Sequence, residues 1–283
     1  MEIIEINEEN LEDYEELIGR DAAANIGREY YRAVVVHKSE DMPAQAALVW
    51  EYKNLEEEED TLSELICLTA KNDKEMDALF SEYEKQAAEE SVVRSFFEFG
   101  KDKENEAGLL RKRGFETKEQ DSRDIYITLQ QLNQIKGLDK KAPSYIGSIS
   151  ELMVRQFRKG IMNCLFHNRK GLLEDLATLP ISWYEQDISC CVQTDGNVNG
   201  FLLIHRSGSG VLIVDLMCCF GADYKNNLRD MIRYSLSAAL KKYPPETKVL
   251  LRRHNEATAG LAKRMFPDVE ASDAIFGERG EGK

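Results

Sequence analysis

The chain spells one order of elements twice. In each half, strands that read as a hairpin lead to a further strand, a long amphipathic helix, another strand and a second helix. The period is about 130–140 residues, far beyond the roughly 20–50 residues of a solenoid repeat, so a duplicated domain is expected. A strand–helix–strand step requires a right-handed crossover and a parallel pair, whereas a hairpin is antiparallel. A chain that carries both twice is expected to fold as α/β with two mixed sheets. Its 283 residues suit two domains, and cores of about 140 residues each need no disulfide or metal.

Residues 1–6 (MEIIEI) alternate as an edge strand does, and Asn10 is placed to cap a short helix with Leu11, Tyr14, Leu17 and Ile18 at helical spacing. YYRAVVVH (30–37) and AQAALVWEY (44–52) read as paired strands around a turn with Pro43. The strand SELICLTA (63–70) precedes a helix with Met76, Leu79, Phe80, Tyr83 and Ala87 on one face. Then come the strand VVRSFFEF (92–99), a short helix over 105–113 stopped by Gly114, and the strand DIYITLQ (124–130). The polar, basic stretch NQIKGLDKKAP (133–143) is the expected linker, giving domains over 1–135 and 143–283. In the second half, helices are expected at about 149–165 and over 171–178. DISCCVQ (187–193) and NGFLLIHR (199–206) flank Asp195-Gly196-Asn197, a strong hairpin signal. The strand GVLIVDLMCC (210–219), a helix over about 226–241, the strand KVLLRR (248–253) and a helix over 256–265 complete the order.

Several function classes are disfavoured. The six cysteines (Cys67, Cys164, Cys190, Cys191, Cys218 and Cys219) form no C-x-x-C pair, and four stand as adjacent pairs inside apolar strands, so they read as reduced core thiols. The four histidines are dispersed, and no metal site is expected. No apolar run reaches the roughly 18–20 residues that span a bilayer. The acidic start MEIIEINEEN has neither a basic n-region nor an apolar h-region, so a cytoplasmic protein without a membrane partner is expected. A net charge of −14 argues against a nucleic-acid partner. That charge is uneven. Residues 1–132 hold 34 acidic and 16 basic side chains and residues 133–283 hold 17 and 21, so the second half repels a polyphosphate less.

Three local patterns add to the order. DGNVNGFLLI places a Gly at the start of an outgoing strand. A strand is followed by Asn-x-Ala in both halves, at Asn105 and Ala107 and at Asn255 and Ala257. The first of these segments ends Arg113-Gly114-Phe115, and the second ends Met265-Phe266. Together these features resemble the GNAT superfamily of N-acetyltransferases. The resemblance implies two tandem acyl-CoA N-acyltransferase folds, acetyl-CoA or another acyl-CoA as cosubstrate, and an amine on a small molecule or peptide as acceptor. In that family the strand before the long helix lines the pantetheine arm, which here points to Met217, Cys218 and Cys219. The loop after it, normally Q/R-x-x-G-x-G/A, holds pyrophosphate on free N–H groups and the positive end of the helix dipole.

Both loops depart from that pattern. The first, Ala70 to Asp77, has no Gly and carries Asp73, Glu75 and Asp77, which compete with pyrophosphate for the same N–H groups. The second, Gly221 to Asp230, keeps Lys225 and Arg229. With Asn226, Asn227 and Leu228, and with Asn255 beyond the next strand, these are the expected cofactor contacts. The first half therefore reads as degenerate and the second as the cofactor-binding half. The family's acidic Tyr falls at Leu110 and Leu261, which cannot donate a proton, so Tyr224, His254 or a water would substitute. Candidate bases are Glu64 and Asp215 on the central strands and His254 near a strand end. An Asp inside VLIVDLMCC calls for a partner in any role. Two functions compete on this fold: acyl transfer, and a binding or scaffolding role that has lost transfer. A third arrangement gives the acidic first half the substrate side and the second half the cofactor.

Overall fold

The computed structural model describes residues 1–38, 43–54, 60–138, 140–167, 176, 178–194, 196–252 and 256–280. The chain forms two compact units, Met1–Ser122 with Ala271–Lys283, and Arg123–Glu270.

The first unit is a seven-stranded sheet. Its order is β1 (Glu2–Glu5), β2 (Tyr31–His37), β3 (Ala46–Asn54), β4 (Thr61–Thr69), β5 (Val92–Gly100), β13 (Asp273–Gly280) and β6 (Glu116–Asp121). β4 and β5 run parallel, joined by helix α3 (Asp73–Glu89), and the other neighbours run antiparallel. The alternation along β2 shows why both faces are covered. Val34 and Val36 pack with Met76, Leu79, Phe80 and Tyr83 of α3. Ala33 and Val35 pack with Tyr14, Ile18 and Ala22 around the short helices α1 (Glu15–Ile18) and α2 (Arg20–Ala23). Helix α4 (Glu104–Arg111) buries Ala107 and Leu110.

The second unit is a six-stranded sheet in the order β7 (Asp124–Thr128), β12 (Lys248–Arg252), β11 (Leu212–Cys219), β10 (Asn197–Arg206), β9 (Cys190–Thr194) and β8 (Ile146–Ser148). β11 and β12 are its parallel pair, joined by helix α7 (Tyr224–Lys242). Helix α6 (Val154–His167) lays Phe157, Ile161 and Cys164 on Phe201, Leu203, Leu216 and Cys218. Two shorter helices lie among the described residues of the unit: α5 (Leu129–Asn133), closed by a Thr128–Gln131 capping box, and α8 (Glu256–Met265). The Gly that opens the outgoing strand has a steric reason. A Cβ on Gly200 would lie 2.7 Å from the Cys218 carbonyl oxygen and 2.9 Å from the Cys219 thiol.

The boundaries differ from the expected 1–135 and 143–283. DIYITLQ supplies β7, which pairs with β12 of the second unit, and 133–143 lies inside that unit. The last strand, β13, returns to the first unit and sits between β5 and β6. The two halves thus exchange the strand beside the fifth. The cause lies in the open edges of β5 and β12, either of which a short apolar strand can satisfy. Ile125 and Ile127 bury in one sheet, and Ala274, Ile275 and Phe276 in the other. The exchange sharpens the charge difference. The first unit holds 36 acidic and 17 basic residues, a net of −19, and the second 15 and 20, a net of +5. The helix expected from 149 opens as a short 3-10 turn over Ile149–Glu151, and Met153 is exposed. The stretch expected as a helix over 171–178 lies almost wholly outside the described residues.

Candidate functional site

Where two parallel strands separate, they leave backbone groups that no neighbouring strand satisfies. β11 and β12 pair at Leu212–Val249 and Ile213–Leu250, and among the described residues the pairing ends there, while β11 continues to Cys219. The separation begins at a bulge. Ile204 on β10 opposes Val214 and Leu203 opposes Leu216, so Asp215 is the extra residue. A bulge bends its strand and re-aims the inserted side chain.

Asp215 has the partner its apolar surroundings require. Its Oδ2 accepts a hydrogen bond from His205 Nδ1 at 2.5 Å, with the two side chains 15% and 10% exposed. The Trp183 ring lies against the imidazole, centroids 5.3 Å apart. Donation from Nδ1 places the lone pair on Nε2, and no described residue hydrogen-bonds Nε2. The expected site named Asp215 without His205 or Trp183. The available signal was hairpin register. His205 stands opposite Ile213, so Asp215 is its diagonal neighbour on the same face.

β11 ends at Cys219, shortly before the start of α7. Gly221 turns the chain with φ +99°, a conformation that favours Gly. Asp223 at the N-cap makes no side-chain capping bond, and the N–H groups of Lys225 and Asn226 have no backbone acceptor among the described residues. Lys225, Asn226 and Arg229 are exposed there. Arg229 Nη2 donates to Asn226 Oδ1 at 3.0 Å, and Lys225 Nζ lies 5.7 Å from the Tyr224 ring centre. Burial raises the Cys219 thiol pKa, opposed by a hydrogen bond with the Asn227 side chain. Met217 and Leu228 are half-buried, and Cys218 is buried beside Cys164 under α6. Lys225, Asn226, Asn227 and Arg229 therefore do gather at one helix start. Tyr224 is among them and exposed. His254 and Asn255 lie outside the described residues, as does the side chain of Leu261.

The first unit closes the same two places with its own side chains. Its parallel pair runs to Leu65–Phe97, and the bulge residue is Ile66, with no ionisable group. Asn72 Oδ1 accepts the N–H groups of Lys74 and Glu75 at 3.1 Å each, and the buried Glu75 carboxylate accepts Lys71 N–H at 2.9 Å. Of the three carboxylates expected to crowd this helix start, Glu75 takes a backbone N–H. Asp73 and Asp77 pair with Lys112 and Arg113. Glu64, expected as a candidate base, is in an ion pair with Lys53. Lys53 also reaches Glu51, which holds Arg28 at 2.9 Å. Glu51 sits where His205 sits in the second hairpin, since it opposes Glu64 as His205 opposes Ile213. A largely buried carboxylate committed to an ion pair is structural, because freeing it leaves Lys53 uncompensated. Leu110, expected at the place of the family's acid, is fully buried in the core.

Each unit is a mixed sheet clad by helices, with one parallel pair that opens at a bulge beside a helix start. This is the GNAT-type fold, present twice. Solved structures share it. A tandem GNAT protein from the clavulanic acid biosynthesis pathway, solved without AcCoA, superposes with a TM-score of 0.65 at 10% identity, covering 100% of this chain and 99% of that one. FemX gives 0.55 at 11% identity, covering 97% of each chain. A conserved Enterococcus faecalis protein named as a probable N-acyltransferase gives 0.54 at 10% identity, covering 99% of this chain and 72% of that one. At these identities the likeness is one of fold. No protein-family model matches the sequence, and no curated protein matches it. Among the described residues no helix is long and apolar enough to cross a membrane.

Proposed function

We propose that the second unit is an acyl-CoA-dependent N-acyltransferase and that the first unit is its non-catalytic companion. One observation carries this reading: β11 leaves β12 after Ile213, next to the bulge at Asp215, and ends beside a helix start whose cations are exposed. A pyrophosphate at that helix start would meet the positive end of the dipole, Lys225 and Arg229. From Cys219 back to Asp215 is about 13 Å at ~3.3 Å per residue, an extended run along which a pantetheine arm can lie. Unpaired groups of β11 would accept its amides, and the thioester would rest near the bulge. The net charge of +5 on the second unit favours a polyphosphate, and the −19 of the first does not. The self-capped start of α3 and the ion-paired Glu64 support a non-catalytic first unit.

Calorimetric titration of the full chain with acetyl-CoA tests the reading. Binding is expected, and the double variant Lys225→Glu/Arg229→Glu should weaken it at least tenfold, about 1.4 kcal/mol. No heat at high micromolar acetyl-CoA, or an unchanged affinity in the double variant, overturns it.

A further inference from the structure

We propose that His205 is the catalytic base of this transfer and that Asp215 is its positioning residue. The inference rests on the acyl-CoA reading of the second unit and adds the group that handles the proton. Its basis is the arrangement at the bulge. A carboxylate inserted into β11 holds Nδ1 of an imidazole on β10 at 2.5 Å, and Trp183 flanks the ring. The buried hydrogen bond fixes the tautomer, so Nε2 has its lone pair turned away from Asp215 with no protein partner among the described residues. Although His205 is only 8% exposed, its Nε2 is not among the wholly buried polar atoms left without a partner. A base needs it open.

Charge suits the amine acceptor of the acyl-CoA reading. The Asp215 carboxylate stands beside the imidazole with the two side chains 15% and 10% exposed. An ammonium offsets that charge as it enters; an alcohol or a thiol does not. The step balances without a further reagent. R–NH3⁺ passes a proton to Nε2, and the freed amine attacks the thioester carbonyl carbon. The C–N bond forms and the C–S bond breaks. The CoA thiolate takes the second proton lost by nitrogen, and the imidazolium returns its proton to water. In the first unit the corresponding positions are Glu51, committed to Arg28, and Ile66, so the step belongs to the second unit alone.

The test follows CoA thiol release by the full chain from acetyl-CoA with n-propylamine, lysine and spermidine, each from pH 6 to 10. Acetyl-CoA affinity is measured on the same samples. The wild-type chain should release thiol with at least one amine, with kcat/KM rising from the acidic side. His205→Gln should bind acetyl-CoA as tightly as wild type, lose about 10²–10⁴ in kcat and lose that acidic limb. Asp215→Asn should lower kcat by less, keep the limb, and shift the His205 ring nitrogens toward the other tautomer in long-range ¹H–¹⁵N spectra. Far-ultraviolet circular dichroism checks that both variants are folded. An unchanged profile in His205→Gln overturns the assignment, and so does a wild-type chain that binds acetyl-CoA but turns over none of the amines. Failure to bind acetyl-CoA overturns the acyl-CoA reading itself, and this inference with it.

Discussion

Ending the chain at Glu270 removes β13, a strand of the first unit that lies in sequence after the whole of the second. β13 pairs with β5 over Ala274–Gly280, and with β6 over Asp273–Glu278. Ile275 and Phe276 are buried at 1% and 5% exposure. Deleting such side chains to Ala costs about 2–5 kcal/mol for Ile and 3–5 kcal/mol for Phe. Arg279 is lost as well; its guanidinium stacks 4.8 Å from the Phe80 ring and bonds Glu84 and the Arg113 carbonyl. Two side chains therefore account for about 5–10 kcal/mol, against a typical domain stability of about 5–15 kcal/mol. The edge of β5 also loses its backbone partners. The first unit should then be unfolded in water while the second stays folded. The two tryptophans separate the outcomes, since Trp50 is buried in the first unit and Trp183 belongs to the second. Urea titrations would follow Trp50 in a Trp183→Phe background and Trp183 in a Trp50→Phe background. Residues 1–270 should show Trp50 already in its solvent-exposed emission without urea, and a Trp183 transition close to that of the full chain. A Trp50 transition at an unchanged midpoint would refute the place given to β13.

Other consequences follow from single contacts. Residues 123–270 should fold alone, whereas 143–283 lacks β7 beside β12 and should show a weaker or absent cooperative transition by circular dichroism. Asn72→Ala should destabilise the first unit by about 1 kcal/mol by exposing two N–H groups, leaving acetyl-CoA affinity unchanged in calorimetry. Gly200→Val forces a Cβ into the Cys218 carbonyl and should cost the second unit about 1–3 kcal/mol, read as a lower midpoint of the Trp183 transition. At Glu185, burial pushes the carboxyl pKa up, but hydrogen bonds from Lys242 and Tyr243 more than offset it, so the folded value lies below the ordinary one. A depressed folded pKa gives stability that is present above the unfolded value and lost as pH falls through the folded one. Glu185→Gln should therefore flatten the acid side of the second unit's stability profile, and an unchanged acid midpoint would count against the pair.

Much of this molecule could be read locally. The face Met76, Leu79, Phe80, Tyr83 needed only a period of 3.6, and the hairpin around Asp195-Gly196-Asn197 only alternation and a turn signal. What stayed hidden depends on distant partners. β6 (ETKEQD) has no apolar alternation, and pairing with β13 makes it a strand. β13 (DAIFGERG) is short and glycine-rich, and no local pattern says which of two similar sheets it completes. Asp215 was legible as a residue that needs a partner, and the register that sets it diagonal to His205 emerges only when β11 is paired with β10. Glu64 looked available because Lys53, across the hairpin, is invisible to a reading along one strand. The asymmetry of the two helix starts was legible, since Asn72 and Glu75 have the spacing of a capping pair and Lys225 and Arg229 do not.

Hydrogen exchange with and without acetyl-CoA measures where the cofactor lies. Added acetyl-CoA should slow exchange in 214–219 and at the first turn of α7, through Asn227, and leave 66–76 of the first unit unchanged. Protection centred on 66–76, or none on β11 and α7, would contradict the assignment of acyl-CoA to the second unit.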